Sequence, residues 1–188
     1  MDWNELLKRR TVRFFKQIMP EEEALRAMLD AARCASSAAN RQVLRYQVIR
    51  TPDLAEKIFR CTAYAALVNP RRSPDWGGQA AQVYIAVLAP AGQGEADAGA
   101  AIQSMEFAAW NRGLGCCWVG AFDRKKVQNL LQISAPLEVR YLVATGYPAE
   151  PEPVREDVES GESTAYYLDD GHCLHVPKYT VDAVTVWR

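Results

Sequence analysis

The sequence lacks the features that mark several large classes of protein. Its net charge is only −1, whereas a nucleic-acid-binding domain usually carries a basic face that makes about six to ten phosphate contacts. The longest apolar run, Val83–Ala91, is about half the ~20 residues that a membrane-spanning helix requires. No apolar stretch follows the basic residues Lys8–Arg10, as a signal peptide would need. We therefore expect a protein that binds neither nucleic acid nor a membrane.

Its cysteines and histidines also lack the spacing of a disulfide framework or a zinc site. The five cysteines are an odd number and contain no C-x-x-C pair. Reduced thiols and the missing export signal favour the cytoplasm. Adjacent Cys116 and Cys117 are interpreted as small core residues, because a disulfide between neighbours is strained. In "HCLH", His172–His175, donors at alternating positions on a strand would not all point one way, so we predict no metal site.

No loop motif of a familiar enzyme class is present. The sequence contains no G-x-S-x-G, H-E-x-x-H, Walker or G-x-G-x-x-G pattern. The segment "GLGCCWVG", Gly113–Gly120, has two close glycines, but its third glycine is out of phase. The fingerprint of a tightly bound dinucleotide is therefore missing.

The composition is that of a folded protein with one domain. Apolar residues make up 49% of the 188 positions and charged residues 24%. Periodicity and capping residues predict helices over Asp2–Arg9, 20–35, 51–65 and Glu95–Arg112, and a short one after Asp123. Extended apolar segments predict strands over 46–51, 82–89, 115–122 and 138–146. The strand at 82–89 is apolar on both faces, which is typical of a central position.

Two parts of the chain suggest contact with a second subunit. The helix Glu95–Arg112 is apolar nearly all round and ends at Gly113, so we expect it to be buried on most sides and to face a partner. After about residue 150, prolines interrupt a polar stretch. The tail, residues 151–188, has too few apolar groups to fold alone. We therefore predict a core over residues 1–150 and an extension over 151–188 that wraps the partner within the same domain.

One basic cluster stands out near the start of the chain. In "LLKRRTVRFF", Leu6–Phe15, four cations flank a threonine. A solvated surface patch, a nucleic-acid arm and a clamp for a small phosphorylated ligand would each explain such a cluster. The segment "RCASSAANRQ", Arg33–Gln42, favours the clamp, because small hydroxyl and amide residues let a ligand approach the backbone closely.

Four segments in order resemble the FMN-dependent nitroreductase superfamily, in particular its shorter bacterial members. They are "RRTVRFF", "ASSAANRQ", "DAGAAIQSMEFAAWNRGLGCCWVGAF" and "LVATGYPAE". The resemblance implies an α+β fold with a mixed central β-sheet flanked by helices. It further implies a homodimer with exchanged C-terminal segments and FMN at the interface. The implied activity is the NAD(P)H-driven reduction of a small flat acceptor, such as a nitroaromatic or a quinone, by ping-pong hydride transfer.

The resemblance also implies roles for the cationic residues. Arg9 and Arg10 match the residues that bind the flavin phosphate, and Thr11 matches a serine usual at that place. Arg13 matches the cation near flavin N1 and O2. Lys178 matches a C-terminal lysine that binds the phosphate.

Small and backbone groups complete the implied cofactor site. The residues that match the loop under the ring and the ribityl chain are Ser36, Ser37 and Ala38. Asn40 matches an amide that contacts the flavin from the other subunit. Val119 and Gly120 match the backbone near flavin N5 and O4.

Alternative functions remain open at this point. No acid or base from the protein is expected to be required, and the nicotinamide would occupy only a transient site. Trp76 would form a wall over the flavin or be held by local packing in its loop. The same fold would also serve dehalogenation or flavin breakdown. A non-catalytic FMN carrier or sensor, or a basic-arm nucleic-acid module without flavin, would explain the cationic cluster differently.

Overall fold

The fold is described from a computed structural model, which defines residues 3–64, 73–151 and 153–188. These residues form two compact units. The first contains residues 3–64 and 73–149, and the second contains the described residues from 150 to 188. None of the described helices has the length and hydropathy needed to span a bilayer.

The first unit is an antiparallel sheet covered by helices. Its elements in chain order are α1 (Trp3–Lys8), α2 (Glu22–Arg33), β1 (Arg45–Ile49), α3 (Pro52–Phe59), β2 (Val83–Pro90), α4 (Glu95–Trp110), β3 (Gly115–Val119), α5 (Arg124–Leu130) and β4 (Leu137–Gly146). The strand order is β1-β2-β4-β3, and each neighbouring pair is antiparallel. A short 3₁₀ turn, Ala38–Asn40, lies between α2 and β1.

The core forms between β2 and the helices α2 and α4. Met28 of α2 and Ile102 of α4 pack with Ile85 and Val87 of β2 in one apolar cluster. Alternate residues of a strand point to opposite faces, so Tyr84 points away from the face of its neighbour Ile85. The Tyr84 side chain is also fully buried. Both faces of β2 are therefore covered, as the sequence predicted for the strand at 82–89.

The second unit contains a smaller sheet. Its elements are β5 (Val154–Val158), β6 (Tyr167–Leu168), β7 (Leu174–Tyr179) and α6 (Val181–Val184). β7 lies in the middle, parallel to β5 and antiparallel to β6. The α+β class is confirmed. The resemblance implies a mixed central sheet, but the described strands of the first sheet are all antiparallel, and the parallel pair among the described residues, β5 with β7, lies in this C-terminal sheet. Pairing direction depends on how the connections cross the sheet, and apolar patterns do not report that.

An extended segment after α1 lies along the edge strand β3. The Val12 amide donates to Cys116 O at 2.9 Å, and the Lys16 amide donates to Tyr147 O at 2.8 Å. The approach is close because Gly115 has no side chain. A Cβ at Gly115 would clash with the Val12 side chain, since it would lie only 2.6 Å from Val12 Cβ. The basic residues Arg9–Arg13 are thereby held against the sheet.

Replacing this glycine should displace the segment. Gly115→Ala should lower the free energy of unfolding by about 1–3 kcal/mol, as overpacked cores do, in urea denaturation followed by circular dichroism. The matched control is Gly99→Ala in α4, where the added methyl would meet Trp118 at 3.7 Å, an ordinary contact. Because alanine favours a helix over glycine by up to about 1 kcal/mol, the control should be as stable as the wild type or more so. Equal losses in both variants would contradict the proposed close packing.

Candidate functional site

Arg9 is paired with a buried carboxylate. Its Nη1 lies 3.2 Å from Glu106 Oε2, and the Glu106 side chain is only 5% exposed. Burial raises the pKa of Glu106, and the charge of Arg9 opposes that shift. A carboxylate removed from water needs such a partner. Glu106, on the last turns of α4, therefore fixes the direction of the Arg9 side chain.

Arg10 is oriented differently from Arg9. Its Nη1 donates to Leu7 O at 2.9 Å and to Arg9 O at 2.6 Å. Leu7 lies in the last turn of α1, where carbonyl groups lack partners within the helix. Arg10 therefore caps α1, in addition to adding positive charge beside Arg9. Thr11, the next residue, is half-buried.

Two of the arginines flank the buried start of β3. Burial raises the pKa of the Cys117 thiol to about 11, and the charge of Arg13 opposes this shift. Burial likewise raises the pKa of Cys116 to about 12, and Arg9 is one of the charges that oppose it. Both thiols therefore stay protonated near neutral pH, and neither is in a disulfide. The interpretation of this pair as small core residues is confirmed.

The serine loop is organised by a second buried carboxylate. Asp97, in the first turn of α4, is 9% exposed. Ser37 Oγ donates to Asp97 Oδ2 at 2.6 Å, and the Ala38 amide donates to Oδ1 at 3.3 Å. The Gln42 amide in turn donates to Ser37 Oγ at 2.9 Å. One carboxylate thus anchors the loop through both of its oxygen atoms.

The same loop presents polar groups beside a pocket. Asn40 and Ser36 are exposed, and Asn40 adopts a left-handed φ of 51°, which asparagine tolerates better than most residues. The pocket has a volume of about 280 Å³ and is lined in part by Ser36, Ser37, Tyr46 and Asp97. Hydroxyl and amide groups are therefore available at a concave surface.

The two halves of the predicted site lie at opposite ends of α4. Asp97 and Glu106 are nine residues apart (106 − 97), which corresponds to about 13.5 Å along a helix and about 180° around it. Within one chain, the serine loop and the arginine segment therefore lie on different sides of this helix. The structure does not bring them together around one small ligand.

The remaining predicted residues are distributed over both units. At the end of β3, Val119 is buried and Gly120 is exposed. Lys178 is exposed on β7 of the second unit. Trp76 is half-buried, and its ring centroid lies 5.7 Å from that of Phe59. Of the two roles considered for Trp76, local packing has direct structural support.

Sequence reasoning missed the two carboxylates that position the loops. Glu106 and Asp97 lie in a helix that was described by its apolar residues alone. A charged residue within such a stretch indicates a buried partner, because an isolated charge is costly to bury. This signal was present in the sequence and would have selected both residues.

Comparisons with known proteins agree on one family. The chain matches the family described as "Nitroreductase family" over residues 6–147. A protein of Methanothermobacter thermautotrophicus, provisionally named NADH dehydrogenase/NAD(P)H nitroreductase, is 30% identical over 161 residues, covering 80% of this chain and 79% of that protein.

Solved structures share the fold. An FMN-dependent nitroreductase from Clostridium difficile R20291 has a TM-score of 0.64 and 22% identity, over 79% of this chain and 88% of that one. An iodotyrosine deiodinase bound to FMN and 3-iodo-L-tyrosine has a TM-score of 0.69 and 23% identity, over 87% and 100% of the two chains. At these identities the likeness supports the fold alone.

The buried carboxyl of Glu106 should leave a pH signature in stability. Because the pKa of Glu106 is raised, the folded state holds this proton more tightly than the unfolded state. The associated stabilisation is fully present below the ordinary glutamate pKa, near 4.5, and is lost as the pH rises through the raised value. Urea titrations give the free energy of unfolding of the wild type and of Glu106→Gln at each pH. The wild-type value minus the Glu106→Gln value should therefore decrease as the pH rises above about 4.

The matched control is Glu23→Gln, which removes an exposed carboxylate from α2. It should not reproduce this decrease. A difference between wild type and Glu106→Gln that stays constant across the pH range would contradict the assignment.

Proposed function

Because the chain belongs to the nitroreductase family, we propose that it is an FMN-dependent oxidoreductase that reduces a flat acceptor, such as a nitroaromatic or a quinone, with NAD(P)H. One observation carries the proposal: the segment Arg9–Arg13 is held against the buried start of β3, with Arg9 oriented by Glu106. When bound, FMN would supply the redox chemistry, accepting hydride from the nicotinamide and delivering two electrons to the acceptor in a second half-reaction.

Arg9, Arg10 and Thr11 fit the phosphate of FMN. A phosphate monoester carries close to two negative charges and three strong acceptor oxygens. A guanidinium offers five N–H donors, so the contact of Arg9 Nη1 with Glu106 leaves donors of Arg9 for an anion. Arg10 adds charge, and Thr11 adds a hydroxyl. Lys178 would contribute a further cation from the C-terminal unit.

Arg13 fits a different part of the cofactor. Its charge is felt at Cys117, near the start of β3, while the phosphate would bind near Arg9. A fixed cation stabilises negative charge that develops during a reaction without reorganisation of the surroundings. Arg13 would therefore favour the reduced flavin at N1 and O2. The exposed backbone of Gly120, with Val119 behind it, would face N5 and O4.

A homodimer would bring the two halves of the site together. Since Asp97 and Glu106 lie on opposite sides of α4, the serine loop of one subunit would serve the arginine segment of the other. The loop residues concerned are Ser36, Ser37, Ala38 and Asn40. The tail, residues 151–188, would wrap the partner and cover apolar side chains such as Trp187, which is 79% exposed in the single chain.

The chain would act by binding and positioning. The absence of a dinucleotide fingerprint suits a nicotinamide that leaves before the acceptor enters the same cleft, as ping-pong exchange requires. No side chain is assigned as an acid or base. The deiodinase that shares the fold keeps another flavin reaction, such as dehalogenation, as the alternative, beside a non-catalytic carrier or sensor.

Removing the phosphate-binding arginines should abolish flavin retention. Arg9→Ala alone would leave Glu106 buried without its partner, so Arg9→Ala and Arg10→Ala are combined with Glu106→Gln. Two lost charge-assisted bonds of ~1.5–3 kcal/mol each should weaken FMN binding at least about 100-fold. FMN released from the purified protein, measured by fluorescence, reports the occupancy.

Two controls separate this effect from general damage. Glu106→Gln alone sets the reference occupancy. Arg112→Ala with Lys125→Ala in the same background removes two charges from exposed positions and should retain the reference level. Full FMN occupancy in the variant that combines Arg9→Ala, Arg10→Ala and Glu106→Gln would exclude the arginine site, provided that its circular dichroism spectrum is like that of the wild type.

Electron transfer is tested separately from binding. Under anaerobic conditions, NADH or NADPH should bleach the flavin absorption of the wild-type protein, and a nitroaromatic or a quinone should restore it. Colour that persists with both nicotinamides would favour a carrier or sensor. Recovery only with a halogenated aromatic, accompanied by halide release, would favour the alternative reaction.

A further inference from the structure

The C-terminal hairpin brings together three side chains of the types that bind transition metals. Asp169, Cys173 and His175 each offer one ligand atom, and these atoms lie within 4.8 Å of one another. The hairpin joins β6 to β7, and its register pairs Leu168 with Leu174 and Tyr167 with His175. Cys173 and His175 are two positions apart, so they point to the same side, and Asp169 approaches from across the turn.

Asp169 is fixed by the turn itself. The Cys173 amide donates to Asp169 Oδ1 at 2.8 Å, and the Asp169 amide donates to Cys173 O at 3.1 Å. The second carboxylate oxygen, Oδ2, lies 3.1 Å from His175 Nε2. Ligands bonded to zinc at 2.0–2.3 Å in a tetrahedron lie about 3.3–3.7 Å apart. The oxygen and the nitrogen are therefore close to the spacing of two ligands of one ion.

His175 is oriented as a metal-binding histidine would be. Its Nδ1 lies 2.7 Å from Glu156 Oε1 on the neighbouring strand β5, and Tyr167 Oη donates to the same oxygen at 2.7 Å. The rings of Tyr167 and His175 stack with centroids 4.9 Å apart. In metal sites the second imidazole nitrogen commonly donates to a carboxylate, which fixes the tautomer and directs the other nitrogen to the metal. Glu156 lies against Nδ1 in this way, which directs Nε2 toward the position of an ion.

We propose that Asp169, Cys173 and His175 bind a divalent ion of the zinc class, with Glu156 as the carboxylate that orients His175. Carboxylate, thiolate and imidazole together suit zinc or cobalt better than magnesium or calcium, which prefer oxygen ligands alone. In the bound state Cys173 would ligate as the thiolate and His175 through Nε2, and the fourth position would be open to water. Because Asp169 is exposed and the other two ligands are half-buried, the ion can enter from solvent.

The hairpin supplies a different third donor from the one that the sequence motif suggests. From the sequence pattern alone the motif "HCLH" predicts no metal site, because its donors alternate along a strand. His172, in a left-handed turn conformation with φ of 60°, is the residue that alternates with the other two. Asp169 takes its place, and the register of a hairpin is what brings it near.

The site is tested by zinc titration of the full-length, tag-free, chelator-treated protein under reducing conditions. Calorimetry should show one zinc per chain for the wild type. Glu156→Gln, which removes the orienting carboxylate, should weaken zinc binding by about 10–100-fold while the stoichiometry stays at one. Cys173→Ser and His175→Gln, which remove proposed ligands, should each weaken zinc binding by more than this range. Cobalt should add a thiolate charge-transfer band, seen as a difference spectrum, in the wild type and not in Cys173→Ser.

Cys34→Ser is the matched control, because Cys34 is exposed on the other unit. It should bind zinc as the wild type does. Circular dichroism establishes that each variant is folded. If the wild type binds no zinc, the cluster is an ion-pair network around His175. If Cys173→Ser binds as tightly as Cys34→Ser, the thiol is not a ligand. Either result overturns the proposal, and neither depends on FMN binding or on reductase activity.

Discussion

The cost of burying a carboxylate shapes both predicted halves of the cofactor site. An ionised acid inside a protein must find donors or a cation, because water no longer solvates it. α4 carries two such acids on opposite sides. Asp97 meets this requirement with the Ser37 hydroxyl and the Ala38 amide, whereas Glu106 meets it with the Arg9 guanidinium. One buried helix thus fixes two segments far apart in the sequence, and the placement of polar groups follows from the packing of an apolar core.

Local features of the fold were predictable because local physics determines them. Gly113 has the positive φ of 70° expected after a helix, and Asp123 caps α5 by accepting from the Lys126 amide. The partners of Glu106 and Asp97 were not predictable from pattern alone, because they come from segments distant in the chain. Strand direction and hairpin register were equally hidden, since both depend on connections. For that reason the C-terminal cluster became visible only in three dimensions.

The two units present different kinds of chemistry. In the first unit, cations lie beside the buried start of β3, which suits an anionic cofactor. They belong to one of the four segments that resemble the nitroreductase family. In the second unit, a carboxylate, a thiol and an imidazole meet at a hairpin. This hairpin lies outside residues 6–147, the part of the chain that matches the family. The proposed ion site would give the tail a role besides the proposed wrapping of a partner. Its Glu156–His175 contact joins strands that are distant in sequence, and a bound ion would reinforce that connection.

The segment that carries the arginines also shields an open strand. β3 is at the margin of the first sheet, and an unprotected margin offers backbone groups to the strands of other molecules. The Val12 amide occupies Cys116 O, and the Val12 side chain lies over Gly115. Deleting the chain up to and including Val12 would therefore have two effects at once. The protein would lose Arg9 and Arg10, the proposed phosphate-binding residues, and the uncovered strand would become a seed for intermolecular aggregation.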